Sequence, residues 1–201
     1  MHALYRPILL LSVFLPALVF LPVTSLSQCL TAQTARSGYT LVSADGKTRF
    51  QVKPFSDKTV TYDIVQNGTL VYTVETYDGI WTTAIITPRG TAHMTMDPDV
   101  RNQGPFDVGF HRDYKSRAEQ LDGSLLQLNM TTRVLAKEDV QIGACRYTTL
   151  VIESESRREN LPGVQTTRNN YSPDLKMNIR SIRTTPDGSV SKYEFALIET
   201  K

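Results

Sequence analysis

His93-Met94-Thr95-Met96-Asp97-Pro98-Asp99 comes nearest in this chain to metal chemistry. In an extended backbone Met94 and Met96 project to the same side, and two thioethers with an imidazole are soft ligands of the kind copper takes. Such a site needs further ligands from elsewhere. Methionine in a strand is ordinarily core, and Asp-Pro-Asp is ordinary turn chemistry. Histidine is otherwise scarce, with His2 in the leader described below and only His93 and His111 beyond it. The best carboxylate pair is Glu153 and Glu155, which strand geometry puts on one face about 6.5 to 7 Å apart, a spacing glycosidase pairs also use. Arg157 continues that face and Arg168 can oppose it on a returning strand, so a solvated ladder of charge pairs accounts for all four residues. The chain has no Gly-x-Ser-x-Gly elbow and no glycine-rich phosphate loop. The expectation is a protein without intrinsic catalysis and without a cofactor. The alternative is a hydrolase using Glu153 and Glu155, or a metal protein using His93, Met94 and Met96.

The first 27 residues have the layout of a secretory signal peptide: Arg6, then "ILLLSVFLPALVFLPV", then small residues at Ser25 and Ser27. Pro16 and Pro22 interrupt the apolar run and no basic cluster follows it, so a cut after Ser27 is expected rather than a membrane span. That implies a periplasmic or secreted protein with no transmembrane span in the mature chain. Leu26-Ser27-Gln28-Cys29 resembles the lipobox of bacterial lipoproteins, with Gln28 standing where Gly or Ala is usual; a lipid anchor at Cys29 is the lesser expectation. Cys29 and Cys145 are the only cysteines. An oxidising compartment can join them, closing a loop worth up to about 4 to 5 kcal/mol. The alternative is a buried Cys145 thiol with Cys29 on a loose terminus. A formal charge of +2, with Arg157-Arg158 bracketed by Glu155 and Glu159, does not call for nucleic acid.

Residues 28–201 read as one mainly β domain: a single antiparallel curved sheet, a half-barrel or open barrel. Turn pairs such as Asp45-Gly46, Asn67-Gly68, Asp78-Gly79 and Asp122-Gly123 punctuate stretches rich in Thr, Val, Ile and Tyr. Val60, Tyr62 and Ile64 alternate with Thr61 and Asp63 before Asn67-Gly68, and Leu70, Tyr72 and Val74 alternate after it, which is a hairpin with a type I′ turn. "IWTTAIIT" is apolar on both alternating sets and reads as a central strand, with Trp81 in the core or facing a ligand. Residues 96 to 123 read as a long excursion in which "DYKSRAEQL" forms a short helix or an edge strand. If Val190 to Thr200 ends the sheet, it leaves an edge open to another chain.

The stretch from Val140 to Thr184 resembles a pattern found in uncharacterised secreted proteobacterial domains of unknown function. The matching residues are Ile142, Gly143 and Thr148, then Tyr171, Ser172, Pro173, Asp174 and Leu175. Asn170-Tyr171 stands where a tryptophan–aromatic pair is frequent, and Cys145 where an aromatic is frequent. The resemblance implies a curved half-barrel similar to the lipoprotein carriers of the periplasm, some of which hold acyl chains. By that resemblance the partner is a lipid or other apolar small molecule on the concave face, near residues 96 to 123. Around Ser172-Pro173-Asp174 the residue types point to a sheet corner, closed from either side by Tyr171 and Leu175, rather than to a site.

Overall fold

The computed structural model describes residues 29–120, 122–159 and 161–200; the predicted signal peptide, residues 1–27, lies outside them. Twelve strands follow one another: Tyr39–Ser43 (β1), Thr48–Val52 (β2), Thr59–Gln66 (β3), Thr69–Tyr77 (β4), Trp81–Thr87 (β5), Gly90–Asp97 (β6), His111–Glu119 (β7), Leu125–Ile142 (β8), Cys145–Arg158 (β9), Gln165–Ser172 (β10), Met177–Thr184 (β11) and Val190–Thr200 (β12). Each pairs antiparallel with its neighbours in sequence, and β12 returns to β1 through Tyr39↔Thr200 and Leu41↔Ile198. The result is a closed barrel, not the half-barrel or open barrel expected.

Closure uses two strands that divide themselves between partners. From Val190 to Glu194, β12 runs along β11, and from Phe195 to Thr200 it runs along β1. Likewise β6 pairs with β5 as far as His93 and with β7 from Met94 onward. Strands that switch partner in this way make the corners of a wall. The expected free edge at Val190 to Thr200 is therefore paired along its length, first to β11 and then to β1. From Asp113 to Glu119 the stretch "DYKSRAEQL" is neither a helix nor an edge: it lies in β7, where inward Tyr114, Ser116 and Ala118 alternate with outward Lys115 and Arg117, between β6 and β8. The Asn67-Gly68 turn has the two positive φ values, 50° and 78°, that a type I′ hairpin requires.

The two ends of the barrel differ. One end carries the turns at 78–80 and 173–176, and here they lock together. Tyr171 donates its hydroxyl to the Asp78 carbonyl at 2.7 Å, and Lys176 Nζ meets Asp78 Oδ1 at 2.5 Å. Gly79, at φ 72°, lies so close that a Cβ there would sit 1.9 Å from the Lys176 carbonyl oxygen. Tyr39 reaches across to donate to the Leu175 carbonyl at 2.5 Å. Over the same end folds the β8–β9 hairpin, which outruns β7: the partners of β7 on β8 stop at Arg133. At its tip a Cβ on Gly143 would lie 3.6 Å from the Ala196 carbonyl of β12. Val140, Ile142 and Tyr147 of this hairpin pack into one core with Leu41, Val60 and Ile179. Cys145, in the same core, is bonded to Cys29, 116 positions away in the sequence, with Cα atoms 5.4 Å apart. This clasped end is solid. The Tyr171–Leu175 segment is the corner its residue types suggested, with Tyr171 3% and Leu175 0% exposed.

Candidate ligand-binding cavity

The other end, marked by the turns after β7, β9 and β11, is hollow. A cavity of about 340 Å³ runs into the barrel between β5 and β11. It has two kinds of wall. Met94 and Met96 on β6, Ala118 on β7, and Leu126, Leu128 and Met130 on β8 make an apolar side. Ser154 and Ser156 on β9, Gln165 and Asn169 on β10, and Asn178 and Arg183 on β11 make a polar side. Trp81 and Tyr114 form its inner limit, packed edge to face with ring centres 5.7 Å apart. The Tyr114 phenol is held above its ordinary range, chiefly by burial. Tyr114 also shares hydrogen bonds with Thr132, which reaches Ser154 at 3.1 Å.

A second chamber, about 370 Å³, forms the mouth and is bounded by Leu161, Pro162 and Pro186. The chambers share Leu126, Leu128, Ser156, Gln165 and Arg183, so they adjoin. Together they reach the size range of small-molecule sites. Their electrostatics are one-sided: Arg183 is the only charged residue lining the inner chamber, Arg158 joins it at the mouth, and no carboxylate lines either. Among the described residues neither arginine has an acidic partner within ion-pair distance. One further group stands out. Asn178 Oδ1 is buried in the chamber wall without a hydrogen-bond partner. Such a group is costly unless something else meets it.

The structure separates the residues proposed for a metal. His93 is exposed on the outside of β6, while Met94 and Met96 are half-buried and line the cavity. Met94 and Met96 do share a face, but the imidazole belongs to a different setting from theirs. Among the described residues no three His, Cys, Asp or Glu side chains are grouped to hold an ion. Glu153 and Glu155 stand outside the barrel, where Arg133 Nη1 reaches both, at 3.8 and 3.6 Å, and Arg157 meets Glu155 at 3.6 Å. Arg168 lies directly across from Glu153 on β10. The pair is thus part of a ladder of charge, as its neighbours suggested. Trp81, 6% exposed, is both core and cavity wall. Sequence reasoning missed Leu126, Leu128, Met130, Asn178 and Arg183. The signal for the apolar wall lay in β8, where Leu126, Leu128 and Met130 alternate with Gln127 and Asn129, and nothing local marked Asn178 or Arg183 as facing inward.

No family model and no curated protein matches the chain. Among solved structures it is similar to the hypothetical lipoprotein YmcC from Escherichia coli (K12), at 10% identity and a TM-score of 0.51, over 83% of this chain and 88% of that one. It is also similar to a Bacteroides fragilis protein with a YmcC-like fold, at 14% identity and a TM-score of 0.45, over 81% and 94% of the two chains. A third likeness, at 11% identity and a TM-score of 0.38, is to a Parabacteroides distasonis protein, over 86% and 100%. The likeness to YmcC is one of fold. It replaces the half-barrel resemblance by that of a YmcC-like barrel.

Proposed function

We propose that this chain is an exported, non-catalytic protein of the bacterial envelope that holds an apolar ligand inside the open end of its barrel. The observation that carries the reading is the cavity beside Trp81, walled on one side by Met94, Met96, Leu126, Leu128 and Met130, with a second chamber adjoining it. Its rim supports it: Leu125, Leu161 and Val190, at the same end, are 62%, 56% and 66% exposed. Of these, Leu161 lines the mouth itself, where an exposed apolar side chain suits the passage of an apolar molecule.

The export leader and the likeness to a protein named as a lipoprotein favour the envelope. The outward residues of β7 to β9 include Lys115, Arg117, Arg133, Glu153, Glu155 and Arg157, a charged wall suited to water rather than to the apolar belt of a membrane barrel. A cysteine sulfur engaged in the bond to Cys145 is not free for a thioether to lipid, which favours a protein released after cleavage over an anchored one. Engagement of Glu153 and Glu155 by arginines on the outer wall favours a structural role for them over hydrolysis.

Trp81 is the only tryptophan, so its fluorescence reports on the cavity alone. The purified exported protein titrated with 12-bromododecanol, a neutral chain carrying a heavy-atom quencher, should show saturable quenching. Emission unchanged at concentrations where the alcohol is soluble would exclude the reading.

A further inference from the structure

We infer that the ligand is an anionic amphiphile, an apolar chain ending in a carboxylate, phosphate or sulfate, whose head is held at the mouth by Arg183 with Arg158. The inference rests on the reading of the cavity as a binding site and adds which end of the ligand is recognised and how. Arg183 occupies the inward register of β11. It lies opposite Thr167 of β10 and lines both chambers, so its guanidinium stands where the inner cavity meets the mouth. Arg158, the last residue of β9, lines the mouth beside it.

On the outer wall Arg133, Arg157 and Arg180 each meet a glutamate. At the mouth the two guanidiniums face Ser156, Gln165, Leu126 and Leu128, and the lining of both chambers offers them no carboxylate. Both are exposed, and two uncompensated cations at the rim of an apolar-walled cavity give it a positive potential that favours an anion. Guanidinium also presents its donors as a planar fork that matches carboxylate and phosphate oxygens. The apolar wall continues inward from that point to Trp81, so a chain would run from a head at Arg183 toward the methionines. Asn178, with its unpartnered Oδ1 on the polar side, offers a second contact to a hydroxyl or amide on the chain.

The test compares heads at constant tail. The exported protein is titrated with 12-bromododecanoate and with 12-bromododecanol, both read by quenching of Trp81. The carboxylate should bind about ten-fold more tightly than the alcohol, the effect of a charge-assisted hydrogen bond. Arg183→Gln should remove that advantage and leave the alcohol unchanged, while Arg183→Lys should keep part of it. Equal affinities for the two heads, or a carboxylate preference that survives Arg183→Gln together with Arg158→Gln, would overturn the inference while leaving the cavity reading intact. Failure of both ligands to quench would overturn the cavity reading and the inference with it. Flotation with phosphatidylglycerol vesicles separates two sources of the head. Arginine-dependent flotation with no quenching by the monomer assigns the guanidiniums to lipid headgroups at a surface. Quenching by the monomer without flotation assigns them to a free amphiphile.

Discussion

The clasped and open ends of this barrel are built from the same strands yet solve opposite problems. At the clasped end Tyr171 and Lys176 turn onto Asp78 and Tyr39 onto the Leu175 carbonyl, although the Tyr147 hydroxyl there is buried without a partner. At the open end Arg158 and Arg183 are left without such partners, and methionines and leucines line a space rather than fill one. A barrel interior must be filled by side chains or enclose a ligand space. Here the β8–β9 hairpin fills one half and leaves the other empty. The difference teaches where stability and function are divided: substitutions at the clasped end should cost folding, and those at the open end should cost binding.

The sharpest way to break this division is at the bond between Cys29 and Cys145. Replacing both, as Cys29→Ser with Cys145→Ala, releases a loop of 116 residues and should lower unfolding stability by about 4 to 5 kcal/mol in urea or heat. Stability unchanged beyond error would mean that the clasped end is held without its bridge. Next in size is Tyr171→Ala, which removes a buried ring and leaves the Asp78 carbonyl without its donor. A loss of about 3 to 4 kcal/mol is expected by chemical denaturation. Smallest is Leu128→Ala, a half-buried side chain that borders open space. With fewer neighbours to lose, it should cost under about 1.5 kcal/mol while weakening ligand binding. If Leu128→Ala destabilised as much as Tyr171→Ala, the two ends would not differ in the way described.

What could be read from the sequence follows the range over which each feature is encoded. The β3–β4 hairpin was legible because Asn67-Gly68 and the alternation beside it are local. The Ser172-Pro173-Asp174 corner and the placing of Arg168 opposite Glu153 were legible for the same reason. Closure was not. It depends on Tyr39 meeting Thr200, and nothing near either residue announces the other. The cavity was hidden by its own polarity. In β9 inward Ser154 and Ser156 alternate with outward Glu153 and Glu155, so both faces read as wet. In β11 Arg183 is indistinguishable by type from Arg180, which pairs with Glu194 outside. An inward arginine can be told from an outward one only once the register is known.

The methionines allow the central claim to be tested in one experiment. Met94, Met96 and Met130 line the cavity, whereas Met177 is buried at the clasped end with 2% exposure. In protein labelled with ¹³C at the methionine methyl groups, titration with dodecanol should shift the signals of Met94, Met96 and Met130 in a saturable way and leave Met177 in place. Shifts at Met177 alone, or no shift at any methionine under saturating alcohol, would contradict the account of an open end that takes in an apolar chain.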